Sequence, residues 1–370
     1  MVNIERLVSI FMELARTDSP SFQEKKIAAI VTGHLNKLNL EYYEDDAKSK
    51  IDGDTGNIIC TIKGKENLEP IAILAHMDTV TPCINKNPVI ENRIIKTDGT
   101  TILGADDHAG VATILEVLYT LSENKIEHGD ITVIFTVAEE KGLLGAKNLD
   151  LSKIHVKYAF VMDASGSIGT VTHQAPSQNS VKIVVRGLAA HAGVEPEKGI
   201  NAIQVFASAI TKMKLGRIDE ETTANIGIIN GGNATNIVCE SVEAFGEVRS
   251  VDEEKLEKQI LHMQACCETA AKEFDAQVEF TSKRIYSSYC VDKGHEILKR
   301  VEKATQNIQL PFLPVSSGGG SDTNVLNSAG ITAVNLSVGM KKVHSIHETL
   351  DIDDLHKVAK LLVEIIRCES

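Results

Sequence analysis

Positive charge is scarce in this chain: 38 lysines and arginines stand against 51 aspartates and glutamates, a formal net charge of −13 over 370 residues. That balance excludes nucleic acid as the main partner, because phosphate binding needs a basic face. No apolar run approaches the length of a membrane span, so neither a transmembrane helix nor a membrane partner is expected. The opening Met1-Val2-Asn3-Ile4-Glu5-Arg6 has neither a basic n-region nor a cleavable apolar stretch, so no export signal is expected. The seven cysteines (60, 83, 239, 266, 267, 290 and 368) form an odd, scattered set without CxxC spacing. They read as reduced thiols of a cytoplasmic protein, not as zinc ligands or a disulfide framework. Tryptophan is absent and aromatics reach only 4%. What remains, 43% hydrophobic and 24% charged residues, is ordinary for a soluble globular chain long enough for two domains or one large one.

Periodicity predicts helices over 4–14 and 22–40, the second opened by Ser21 with Glu24 three places on, a capping-box spacing. Runs 57–62, 70–75, 131–137 and 157–162 read as strands, and 110–121 as a helix; Ile71-Ala72-Ile73-Leu74 is apolar throughout, as in a strand buried on both faces. Strands alternating with helices predict an α/β domain with a mixed, largely parallel sheet flanked by helices. The rhythm then changes. Strand 180–186, helix 201–213, strands 223–229 and 237–249, helix 252–274 and strand 276–281 give the order β-α-β-β-α-β, which is ferredoxin-like. That order is complete in itself, so it reads as an inserted α+β lid. The expected division is 1–176 and 284–370 for the catalytic α/β domain and 177–283 for the lid. After the lid come a helix at 294–305, a strand at 333–336 and a closing helix at 352–366.

Five clusters of acids and histidines stand where apolar runs stop: His76-Met77-Asp78, Asp106-Asp107-His108, Glu139-Glu140, Asp163, and His344 with His347-Glu348. Singly, each has a plain alternative, such as a polar turn after a strand or acids stabilising a helix start. Together they offer imidazoles and carboxylates in the mixture that a pair of divalent metals takes. In open α/β sheets ligands gather beyond the carboxyl ends of strands, where these clusters fall. Asp78 is suited to hold the His76 ring by a hydrogen bond. Asp106 can bridge two metals with its two oxygens, and Glu140 can meet a metal while Glu139 takes a proton from water. The string Ser316-Ser317-Gly318-Gly319-Gly320-Ser321-Asp322 lacks the Lys-Ser/Thr ending of a phosphate loop. Its glycines, Gly319 among them, read as letting backbone approach a substrate.

These stretches resemble the zinc-dependent exopeptidase and amidohydrolase family that includes peptidase T, aminoacylase, glutamate carboxypeptidase and succinyl-diaminopimelate desuccinylase. The resemblance runs over about 19–364 and is closest to the peptidase T branch. It rests on Ala75-His76-Met77-Asp78-Thr79-Val80, Leu103-Gly104-Ala105-Asp106-Asp107-His108-Ala109-Gly110, Ala138-Glu139-Glu140-Lys141-Gly142, residues 344–348, and the lid segment Ala190-His191-Ala192-Gly193-Val194-Glu195-Pro196-Glu197 followed by Gly199-Ile200-Asn201-Ala202. The resemblance implies His76 and Asp163 on one zinc, Glu140 and His344 on the other, and Asp106 between them. It further implies Asp78 orienting His76, Glu139 as general base, and His191 stabilising the oxyanion, with Asn236 and Arg249 holding the substrate backbone or carboxylate. The cofactor implied is two divalent ions, zinc with manganese or cobalt as alternatives. The partner implied is a short peptide, with a homodimer formed through the lid. Peptidase T commonly has lysine at the place of His108 and an HGKHE-like string at 344–348, so Ser345-Ile346 departs toward the carboxypeptidase-like pattern.

The function expected is release of the N-terminal residue of short peptides by a tripeptidase-like aminopeptidase. The alternatives are an N-acyl amino acid deacylase or carboxypeptidase-like amidohydrolase and, from another class, a non-catalytic metal- or peptide-binding protein.

Overall fold

A computed structural model describes residues 1–368. The chain divides into two compact units: Met1–Gln174, Cys290–Ser316 and Ser321–Ser370 form the first, whose last two residues lie outside those described, and Ala175–Tyr289 with Ser317–Gly320 form the second. Among the described residues, no helix is long and apolar enough to cross a membrane.

The first unit is built on a nine-stranded mixed sheet. Along it, Tyr42–Glu44, Ile58–Ile62, Ile131–Thr136, Ile71–His76, Tyr158–Ala164, Ala333–Ser337 and Thr170–Ala175 follow in that order. The central strands Ile131–Thr136, Ile71–His76, Tyr158–Ala164 and Ala333–Ser337 run parallel, while Ile58–Ile62 and Thr170–Ala175 flank them antiparallel. Every residue of Ile71–His76 and Ile131–Thr136 is buried, as a sheet covered on both faces requires. On one face Leu74, Ile134, Ala159 and Val161 pack with Ala146 and Leu326. The helix Ala105–Asn124 is buried along most of its length and lies against Ile71–His76. Parallel strands deliver their carboxyl ends to one edge, so the residues following His76, Thr136 and Tyr158–Ala164 emerge side by side.

Near the N-terminus the structure departs from expectation. The helix predicted over 22–40 is Lys25–Lys37, and Glu24 at its N-cap makes no side-chain capping bond. Ser21 does not cap either: its hydroxyl donates to Asp78 Oδ2 at 2.7 Å. The capping-box pair has turned inward to longer-range partners.

In the second unit an antiparallel sheet orders Thr222–Gly231, Ser241–Ser250, Ser177–Arg186 and Gln277–Tyr286, with Gly216–Arg217 on the outer edge. Helices Ala202–Lys212 and Glu253–Glu273 complete the ferredoxin-like order, and Val181, Ile183, Val185, Val242, Ala244 and Val248 meet Val205, Phe206, Leu256 and Met263 in one core. The strand expected over 237–249 begins at Ser241, because the residues before it pair elsewhere: Val238 N donates to Ala190 O (2.9 Å) and Ala192 N to Asn236 O (3.0 Å).

Candidate metal centre

His76 is the last residue of its strand, and its ring is fixed from behind, with Nδ1 2.9 Å from the Asp78 backbone oxygen. Since a carbonyl only accepts, Nδ1 carries the proton and Nε2 is the free donor atom. That Nε2 lies 3.1 Å from Asp106 Oδ1 and 3.7 Å from Asp163 Oδ1. The other oxygen of Asp106, Oδ2, lies 3.1 Å from His344 Nε2, which is also 2.9 Å from Glu140 Oε1. One carboxylate thus divides its oxygens between two imidazoles, each with a further acid beside it. Ligand atoms of His76, Asp106 and Glu140 come within 4.8 Å of one another, as do those of His76, Asp107 and Asp163.

Asp107 is better employed than as a ligand, since its oxygens accept the backbone N–H of His76 (3.2 Å) and Gly110 (3.1 Å). Asp78 acts similarly. Its side chain is fully buried, Oδ1 accepts Glu139 N (2.9 Å) and Oδ2 accepts Glu140 N (3.2 Å). The turn that carries both glutamates is therefore gripped by the segment that also sets His76.

Electrostatics report an excess of buried negative charge. Burial pushes the Asp163 carboxyl up, and the charges of Asp106 and Glu140 add to this, to about 7. Burial, then Asp163, Asp322 and Glu140, hold Glu139 well above the usual carboxylate range. Asp106 goes the other way: burial opposes ionisation, but hydrogen bonds from His344 and His76 outweigh it. The same bonds from Asp106 and Glu140 lift His344 to about 10. Acids forced to hold protons around two imidazoles form a donor set that a pair of dications fits, because the cations replace those protons.

The sequence assigned no role to three further buried residues. Glu348 is buried and accepts Leu103 N (2.9 Å) and Gly104 N (2.7 Å) on Oε2 and Asp106 N (3.0 Å) on Oε1, anchoring the loop that presents Asp106. Asp322, from the glycine-rich string, is buried with Thr136 Oγ1 donating to it at 2.6 Å. Lys86 is buried with its ammonium unpartnered, and burial lowers it to about 8. Only Glu348 carried a signal, its place four residues after His344. His347, its neighbour, is exposed.

In the second unit, His191 is exposed on a segment bridged antiparallel to Ile237, next to Asn236. Arg249 is clamped by Glu247 through Nε (2.8 Å) and Nη2 (3.0 Å), and its Nη1 donates to Tyr286 Oη at 3.2 Å. Gly319 faces that guanidinium: a β-carbon there would lie 3.7 Å from Nη1.

A parallel sheet whose carboxyl edge gathers two imidazoles and several carboxylates, one of them shared, is the framework of a metal-dependent hydrolase. The chain belongs to the peptidase family M20/M25/M40, which it matches over residues 72–367, and is a peptidase T-like member of it. It is 44% identical over 366 residues to the uncharacterized protein YqjE of Bacillus subtilis, covering 99% of each chain. It resembles the crystal structure of aminopeptidase PepT from Bacillus cereus with a TM-score of 0.89 at 43% identity, over 99% of this chain and 98% of that one. A tripeptidase from Staphylococcus aureus superposes with a TM-score of 0.94 at 38% identity, over 99% and 98%.

Proposed function

We propose that this family member is a two-metal aminopeptidase that releases the N-terminal residue of short peptides, tripeptides among them. The observation that carries the reading is the divided carboxylate of Asp106, with one oxygen 3.1 Å from His76 Nε2 and the other 3.1 Å from His344 Nε2. His76 and Asp163 would hold one ion, Glu140 and His344 the other, and Asp106 both. The ions are zinc in this reading, with manganese or cobalt as substitutes. Bound there, they would polarise the scissile carbonyl and acidify the attacking water. Glu139 takes the proton from that water and returns it to the leaving amine, a role suited to a buried carboxylate next to the ligand Glu140. Asp78 holds the Glu139 and Glu140 amides and backs His76. His191 donates to the carbonyl oxygen as it gains charge. Asn236, Arg249 and the backbone at Gly319 hold the peptide backbone or its carboxylate.

The enzyme works in the cytoplasm in this reading, which its seven free thiols support. It pairs through the second unit, where Ile228 and Ile229 are 55% and 53% exposed on a strand whose outer edge pairs with Gly216–Arg217 at Thr223 and Ala224. The test of the activity is a panel of free tripeptides, dipeptides and N-acetyl amino acids on metal-loaded protein. Preference for free tripeptides supports it. Turnover confined to N-acetyl amino acids replaces it with a deacylase, and none at all with zinc, manganese or cobalt leaves a binding protein.

A further inference from the structure

Glu24 occupies the N-cap of a helix that it does not cap. Its carboxylate, none of it exposed, instead accepts Phe22 N and Ala138 N on Oε1, both at 2.9 Å. Ala138 is a non-glycine residue at φ +48°, the left-handed conformation in which the chain leaves the strand Ile131–Thr136 and turns into Glu139. The next two amides, Glu139 N and Glu140 N, end on the two oxygens of Asp78. Three successive N–H groups of one turn are thus held by two buried carboxylates from distant segments. Ser21, three residues before Glu24, donates to Asp78 and joins the two.

We propose that Glu24 is a positioning residue for catalysis, fixing through the Ala138 amide the turn that aims the Glu139 carboxylate. The proposal rests on Glu139 being the general base. Asp78 sets the amides of Glu139 and Glu140, but the turn has to be entered at Ala138, and there the amide donates to Glu24 Oε1. A displacement of about 1 Å at a reacting group can cost a factor of about 100 in rate, so loss of this hold should appear in kcat. Burial, reinforced by the charge of Asp78, pushes Glu24 up to about 7. A neutral amide is therefore a fair substitute for its side chain, with the carbonyl oxygen in the accepting place.

The test compares Glu24→Leu, Glu24→Asp and Glu24→Gln on metal-loaded enzyme, with metal stoichiometry measured for each. Glu24→Leu should lose about 10- to 100-fold in kcat with KM within about twofold and two ions still bound. Glu24→Asp, whose acceptor is drawn back by one methylene, should fall between, and it keeps the question open to measurement if the leucine variant does not fold. Glu24→Gln should stay within about threefold of the parent. In metal-free protein, hydrogen exchange of the segment 137–141 should quicken in the leucine and aspartate variants and not in the glutamine one. Parent-like kcat in Glu24→Leu or Glu24→Asp, a fall that follows loss of metal, or failure of glutamine to restore the rate would each overturn the proposal. An active Glu139→Gln enzyme would remove the base assignment itself, and that result is read without any Glu24 variant.

Discussion

Replacing Glu348 tests whether the loop that presents Asp106 is held by hydrogen-bond polarity or merely by packing. The side chain is 1% exposed and accepts three backbone N–H groups, from Leu103, Gly104 and Asp106 at 2.9, 2.7 and 3.0 Å. Hydrogen bonds to a charged group contribute about 1.5–3 kcal/mol each, and an unsatisfied buried donor costs about 1–3 kcal/mol. Glu348→Ala deletes both oxygens and with them all three hydrogen bonds but leaves room for water, so the first unit should lose about 3–5 kcal/mol. Glu348→Gln changes the shape hardly at all. Its oxygen can serve Leu103 and Gly104, but its NH2 then meets the Asp106 N–H, donor against donor, at a cost of about 1–3 kcal/mol. Because that amide is the backbone N–H of Asp106, the residue with the shared carboxylate, metal affinity should fall about 10- to 100-fold in the glutamine variant. Denaturant unfolding of metal-free protein and calorimetric metal titration measure the two effects. A glutamine variant within about 0.5 kcal/mol of the parent, with metal affinity unchanged, refutes the reasoning, because packing would then explain the site.

Glu139→Ala should abolish turnover while two ions remain bound by elemental analysis; near-normal turnover with confirmed metal content takes the base role from Glu139. Asp106→Ala should weaken the binding of both ions beyond the ~10- to 100-fold typical of residues behind a ligand, whereas weakening of only one ion would show that it does not bridge. Burial holds Glu24, Asp163 and Glu348 up to about 7 and Asp322 up to about 6. Between roughly pH 4.5 and 7 the folded, metal-free chain therefore binds more protons than the unfolded one, and its stability should fall as pH rises through that window. Chelated protein should unfold at lower denaturant at pH 7.5 than at pH 5.5, and metal should reverse the order; a rise toward pH 7.5 without metal contradicts the burial argument. Gly320→Ala would set a β-carbon 2.3 Å from Tyr286 Cε2, so it should destabilise by about 1–3 kcal/mol and raise KM by displacing the tyrosine that meets Arg249. Unchanged KM would separate Arg249 from the substrate.

The parts of this fold legible in the sequence are those where one residue type can satisfy only one environment. Ile71–His76 and Ile131–Thr136 are apolar throughout because both faces are covered, and the acids and histidines that interrupt such runs lie at the sheet's carboxyl edge. Chemistry that needs particular donor atoms leaves particular letters. What stayed hidden is the layer that aims those atoms, because its bonds go to backbone amides, which every residue possesses. Ser21 and Glu24 have the spacing of a helix cap, yet they address Asp78 and Ala138, which no local pattern can announce. Asp322 and Lys86 gave no signal either, since burial of a charged group is a property of the assembled core. The same logic explains why Glu348 was visible as a letter and invisible as a function. A carboxylate that accepts the N–H groups of Leu103, Gly104 and Asp106 spends both its oxygens on backbone, and so fixes where the shared carboxylate stands. Glu24, Asp78, Asp107 and Glu348 all use this one device. The loops that hold the centre are therefore tied down by acids whose charge is costly to bury, and that cost falls when cations occupy the centre they surround.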